Sequence, residues 1–167
     1  DVIRLDPGWF KTDWLCEWKF NEERFPDPKG FIQGLKKKGY RVSLWQLPYV
    51  AENAEQIDEA RKNDYIAPLT KKQDSEGSNF SALDYAGTID FTYPKATEWY
   101  KELLKNLLDI GVTCIKTDFG ENIHMDALYK GMKPELLNNL YALLYQKAAY
   151  EITKDVTGDG IVWARSA

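Results

Sequence analysis

The feature that most constrains this chain is a recurring order of elements: an aliphatic run, a loop, an amphipathic stretch closed by glycine, then another aliphatic run. Residues 1–6 read as the first strand and lead into a long aromatic loop reaching about Phe25. Asp27-Pro28 then marks a helix start, with Asp as N-cap and Pro at the first helical position. That helix is expected to run to Lys38 and stop at Gly39, a residue suited to a left-handed C-terminal cap. Residues 41–47 form the next strand, ended by Pro48. The same order returns twice. Thr92-Tyr93-Pro94 opens a helix through Ile110 with an apolar stripe of Trp99, Leu103, Leu107 and Ile110; Gly111 closes it, and residues 112–119 read as a strand. Residues 134–155 then carry Leu137, Leu140, Tyr141, Leu144, Tyr145, Ala148 and Ile152 at helical spacing. Gly158 and Gly160 precede a last strand over 161–165.

Strands separated by helices imply a parallel sheet of right-handed βαβ units. About four such units are present, which fits either an open four-stranded sheet or half of an eight-fold barrel, a fold of ~250 residues. No helix follows the last strand to cover it, so the chain reads as a piece of something longer, a single partial barrel domain over 1–167. The stretch at about 51–89 is polar and irregular, with a short helix over 54–62. It reads as an elaborated loop at the strand-end face, where barrels hold their sites.

Composition narrows the partners. A formal charge of −4 argues against nucleic acid and anionic membrane, both of which reward a basic patch. No run approaches the ~18 apolar residues of a membrane span and no leader opens the chain, so the compartment stays unassigned. Cys16 and Cys114 are too few for a disulfide framework, and Cys114 reads as a buried thiol. The six Trp, ten Tyr and seven Phe suit a carbohydrate site, because aromatic faces stack on the C–H faces of sugars; they also suit a large core.

Strand parity sorts the candidates for chemistry, since alternate side chains face opposite ways. Cys114, Lys116 and Asp118 share one face against Ile115 and Thr117. Arg4 and Asp6 oppose Ile3 and Leu5; Ser43 and Trp45 oppose Val42 and Leu44; Trp163 and Arg165 oppose Val162 and Ala164. Each strand thus sends a polar or aromatic residue inward near its C-terminal end: Asp6, Trp45, Asp118 and Arg165. Taken singly, Asp6 and Asp118 are also turn formers, Trp45 a core residue and Arg165 a partner for a structural carboxylate. Together they describe a mouth of the kind this fold uses for catalysis.

The run Ile115-Lys116-Thr117-Asp118-Phe119-Gly120-Glu121 resembles the nucleophile motif of glycoside hydrolase family 31, the α-glucosidase and α-xylosidase family. The resemblance covers nearly the whole chain. Phe25-Pro26-Asp27-Pro28, Leu44-Trp45-Gln46-Leu47-Pro48-Tyr49, Asp90-Phe91-Thr92-Tyr93-Pro94 and Trp163-Ala164-Arg165-Ser166-Ala167 fall in the family's order. It implies part of a (β/α)8 TIM barrel, strands two to five, in a retaining α-glycosidase acting on terminal non-reducing α-linked sugars of an oligosaccharide or α-glycoside. It implies Asp118 as nucleophile, Asp6 as the holder of sugar hydroxyls, Trp45 as a wall of that subsite, and Lys116 and Arg165 as binding and electrostatic partners. The family's acid/base aspartate falls beyond Ala167, so the chain by itself is expected to be inactive. No cofactor or metal is implied.

One departure bears on the sugar. Pro7-Gly8-Trp9 follows Asp6 where many members carry bulkier residues, so xylose, glucose and galactose all stay open, with the xylose-like and glucose-like readings preferred. Glu121 is expected to brace its loop, and the lone His124 to be a solvated loop residue that excludes a multi-histidine metal site. Asp13, Glu17, Asp74 and Asp84 have no motif spacing. Three other readings stand beside the glycosidase: a Schiff-base aldolase-like barrel using Lys116, a divalent-cation site of Asp6, Asp118 and Glu121, and a non-catalytic sugar-binding module. The exposed edges of a half-barrel also favour association, so oligomerisation is compatible with the sequence.

Overall fold

The computed structural model describes residues 1–12, 15–68 and 85–166. Four strands, β1 (Val2–Leu5), β2 (Arg41–Gln46), β6 (Cys114–Thr117) and β7 (Val162–Ala164), form one all-parallel sheet in the order β1-β2-β6-β7. Its register places Leu5 opposite Leu44, Leu44 opposite Ile115 and Ile115 opposite Val162, a single aliphatic row across all four strands. The strands are shorter than the sequence runs by one to four residues, three of them trimmed at both ends.

Three longer helices cover the outer face. α1 (Pro28–Lys37) starts as expected: the Asp27 carboxylate accepts the Gly30 amide at 2.9 Å. The chain then turns through Gly39 at φ +86°, a conformation open to glycine at little cost. α3 (Pro94–Asp109) and α5 (Tyr141–Thr157) pack against each other through Tyr100, Leu104, Tyr141, Tyr145 and Ala148, all buried. At the edge of that contact Lys101 Nζ joins the two helices, 3.0 Å from Glu98 and 2.9 Å from Glu151.

Two expectations need correction. The helix expected over 134–155 is two, α4 (Pro134–Leu137) and α5. The intervening Asn138-Asn139 pair is a poor helix interior, since its amides compete for backbone groups. Leu140 makes an i→i+3 bond to the Leu137 carbonyl and is left 40% exposed, outside the stripe it was placed in. The described parts of the span at 51–89, residues 51–68 and 85–89, also carry strands that the irregular-loop reading did not include. β3 (Tyr49–Ala51), β4 (Ile66–Ala67) and β5 (Tyr85–Ile89) make a small antiparallel sheet in the order β3-β5-β4, with α2 (Ile57–Lys62) between β3 and β4. Among the described residues no helix is long and apolar enough to cross a membrane.

Candidate active site

The inner face of the parallel sheet carries the charges. The Asp118 carboxylate follows β6 directly and is 8% exposed. Its Oδ2 accepts the Trp45 indole N–H at 2.6 Å and the Lys116 ammonium at 3.2 Å. Its Oδ1 accepts the Phe119 amide at 3.1 Å and lies 3.2 Å from Arg165 Nη1. Burial pushes the Asp118 carboxyl up, but the hydrogen bonds from Trp45, Lys116 and the Phe119 amide, with the Lys116 charge, outweigh it. The net position is below the ordinary carboxylate value, so the group is an anion at neutral pH.

The other expected residues gather around it. Lys116 Nζ is also 3.8 Å from Asp6 Oδ1, at the end of β1. Arg165, just past β7, donates from Nε to Glu121 Oε1 at 2.5 Å, so Glu121 meets the site as a partner of Arg165. Trp45 meets the site through its N–H; its ring is buried, and its carbonyl accepts the Trp9 indole at 2.8 Å. The sheet register explains the convergence: Trp45, Lys116 and Trp163 pair in one row across β2, β6 and β7.

What holds Asp118 still lies behind the sheet. Tyr145 of α5 is fully buried, accepts Gln46 Nε2 at 2.8 Å and donates to the Asp118 carbonyl at 3.2 Å. The next two residues reverse the chain with positive φ, +59° at Phe119 and +89° at Gly120. The left-handed conformation costs a non-glycine residue about 1–2 kcal/mol. Ser166 Oγ offsets that cost by bonding the Phe119 carbonyl at 2.6 Å, and the Arg165 guanidinium lies 4.3 Å from the Phe119 ring centroid. A Cβ at Gly120 would come within 2.9 Å of the Tyr145 ring, so glycine is required there on space as well as on φ. Tyr49 completes the turn, receiving the Gly120 amide at 3.3 Å and donating to the Asn122 carbonyl at 3.0 Å.

Other candidates resolve differently. His124 is buried rather than solvated, and burial pulls its imidazole below the usual value against the opposing charge of Asp126. Cys16 and Cys114 are both buried thiols. Glu17 is buried and accepts the Thr12 amide at 3.1 Å, while Asp13, Asp74 and Asp84 lie outside the described residues. No cluster of three or more His, Cys, Asp or Glu side chains suited to a metal occurs among the described residues. A cleft of about 440 Å³ lined by Lys11, Glu17, Lys19, Phe20 and Glu55 includes none of the converging side chains.

Two features escaped the sequence reading. Asp90 is buried, takes the Thr92 and Lys130 amides at 3.0 and 2.7 Å, and so ties the end of β5 to the loop after β6. Its position within Asp90-Phe91-Thr92 before a helix is the sequence signal of such a turn. Arg4 pairs with Asp6 at 2.8 Å; strand parity already set them on one face.

Residues 1–167 match the model of the glycosyl hydrolases family 31 TIM-barrel domain. An α-xylosidase, XylQ, of Lactiplantibacillus pentosus is 34% identical over 99% of this chain and 22% of its own length. An α-xylosidase of Emericella nidulans is 33% identical over 99% of this chain and 21% of its own. The structure of a family 31 sulfoquinovosidase from E. rectale superposes with a TM-score of 0.83 at 28% identity, covering 99% of this chain and 26% of that one. The chain thus spans about a fifth of the length of the curated relatives it matches.

Proposed function

Since the chain belongs to glycosyl hydrolase family 31 and forms part of its TIM-barrel domain, we propose that it supplies the nucleophile half of a retaining α-glycosidase, with Asp118 as the attacking carboxylate. The observation that carries this reading is the reception of Asp118 by Trp45, Lys116 and Arg165, which keeps a nearly buried carboxylate ionised. A nucleophile needs that state, and needs to be fixed in direction, which Tyr145 and the Phe119-Gly120 turn provide.

In the first step an Asp118 oxygen forms a bond to C1 of the terminal sugar as the C1–O bond to the leaving group breaks. A second carboxyl group, ~5–5.5 Å from the first in retaining enzymes, gives its proton to the departing oxygen and then takes one from the water that releases the sugar. Asp6 and Glu121 are each paired with an arginine, Arg4 and Arg165. On the family resemblance we assign the acid/base to a residue outside this chain, and expect the chain alone to turn nothing over. Asp6 receives sugar hydroxyls; Lys116 and Arg165 balance charge as the bond to Asp118 forms and breaks.

Among sugars we favour α-xylosides, because the α-xylosidase relatives are 34% and 33% identical. Gly8, in the turn after Asp6, adds no side-chain volume beside the sugar. The aldolase-like alternative is disfavoured by geometry: Lys116 Nζ is engaged by Asp118 at 3.2 Å and lies 3.8 Å from Asp6. The test is hydrolysis of p-nitrophenyl α-xyloside, α-glucoside, α-galactoside and α-sulfoquinovoside by the full-length enzyme, beside Asp118→Ala. Cleavage of one glycoside, lost in the variant, is expected. Wild-type rates in the variant, or no cleavage of any sugar, would contradict the reading.

A further inference from the structure

Arg4 stands on the inner face of β1, two residues before Asp6, and its Nη2 lies 2.8 Å from Asp6 Oδ2. Its guanidinium carbon is 4.8 Å from the Trp163 ring centroid, and Lys116 Nζ is 5.9 Å from the same centroid. β1 and β7 are opposite edges of the four-stranded sheet, so the Arg4–Trp163 contact crosses the interior of its curve. One indole thus backs both cations, a favourable setting for each.

Lys116 stands between two carboxylates. It is 3.2 Å from Asp118 Oδ2, a hydrogen bond, but 3.8 Å from Asp6 Oδ1, an ion pair without one. An ammonium carries three donors and a single charge, so its place between two anions depends on what else satisfies each of them. Asp118 has Trp45, Arg165 and the Phe119 amide; Asp6 has Arg4.

We propose that Arg4 is a positioning residue of this site: by engaging Asp6 Oδ2 it keeps Lys116 committed to Asp118 and leaves Asp6 Oδ1 for a sugar hydroxyl. The proposal rests on the reading of Asp118 as nucleophile. Among the described residues, the charged and titratable groups around Asp118 are Lys116 on its own strand, Arg165 after β7 with Glu121 and Tyr49 beside it, Tyr145 from α5 at the Asp118 carbonyl, and Asp6 with Arg4 from β1. Without Arg4, Asp6 draws the Lys116 ammonium toward itself, and the hydrogen bond that favours the ionised form of Asp118 weakens. Asp118 must be ionised to attack, so activity is lost as pH falls through its titration. Weakening that bond therefore moves the acidic limb to higher pH.

The experiment is the pH dependence of kcat/KM for the full-length enzyme on its best aryl α-glycoside, comparing wild type, Arg4→Ala, Arg4→Gln, Arg4→Lys and Asp118→Ala. Glutamine keeps a donor for Asp6 and removes only the charge, which guards against a folding defect in the alanine variant. The acidic limb is expected to move up by about half a unit to one unit in Arg4→Ala and Arg4→Gln and to return toward wild type in Arg4→Lys. An unmoved limb in both neutral variants, whatever their rates, would overturn the proposal, because a merely structural Arg4 changes rate or stability and not the titration of Asp118. Wild-type activity in Asp118→Ala would overturn it together with the nucleophile reading, and is recognised separately by that variant alone.

Discussion

Neighbouring residues on the two central strands meet opposite surroundings. On the outward side, Leu44 and Ile115 are wholly buried beneath the helices, and Gln46 and Thr117 bond Tyr145 and Gln146 of α5. On the inward side, Trp45, Lys116 and Asp118 join Asp6, Arg4, Trp163 and Arg165 in a cluster of three cations and three carboxylates with Glu121. The outward row gains roughly 1.5–3 kcal/mol for each large aliphatic side chain buried. The inward row carries charges of which Arg4, Asp6, Arg165 and Glu121 are a third to a half exposed, and such pairs contribute little net stability. The difference teaches that fold and chemistry are assigned by parity: one face of each strand stabilises, and the other holds reactive groups that packing alone would not select.

That separation predicts which property each substitution damages. The largest effect belongs to Asp118→Ala, expected to lower kcat on the order of 10⁴-fold or more in the full-length enzyme while leaving its thermal transition nearly in place. A variant that loses activity only through unfolding would break the comparison. On the opposite face, Tyr145→Ala should cost about 3–5 kcal/mol in denaturant unfolding, since it empties a fully buried ring site between α3, α5 and the sheet. Tyr145→Phe sharpens the contrast by deleting only the hydroxyl between Gln46 and the Asp118 carbonyl. It is expected to cost about 1 kcal/mol of stability, with little change in the pH profile. Far from either face, Asp27→Ala removes the α1 cap and should lower stability by about 1 kcal/mol at unchanged kcat/KM.

Much of this arrangement was legible in the sequence because it depends on local rules. Asp27-Pro28, Gly39 and Gly111 mark the helix ends, and period-two alternation within each strand separates Asp6, Trp45, Lys116, Asp118 and Arg165 from their aliphatic neighbours. The small antiparallel sheet was not legible. Its strands are three, two and five residues long, too short for alternation to register, and their pairing spans tens of residues. His124 departs from its expected exposure for a related reason: a polar residue in a loop is expected at the surface, and its burial depends on how that loop folds back, with Lys130 and Gly131 bonded to Asp90 and Thr92. Arg4 was placed on the correct face, but its partner is ambiguous until the curvature of the sheet brings β1 and β7 together. The break at Asn138-Asn139 had a local signal in its paired amides, masked by an uninterrupted apolar spacing on either side.

The central claim is that Asp118 forms the covalent bond to the sugar. The most direct test incubates the full-length enzyme with a 5-fluoro-α-glycosyl fluoride of the sugar it prefers, digests the protein, and locates the added mass by tandem mass spectrometry. The account predicts one equivalent of glycosyl adduct on the peptide containing Asp118, absent from the Asp118→Asn variant. An adduct on another carboxylate, such as Asp6 or Glu121, would contradict it.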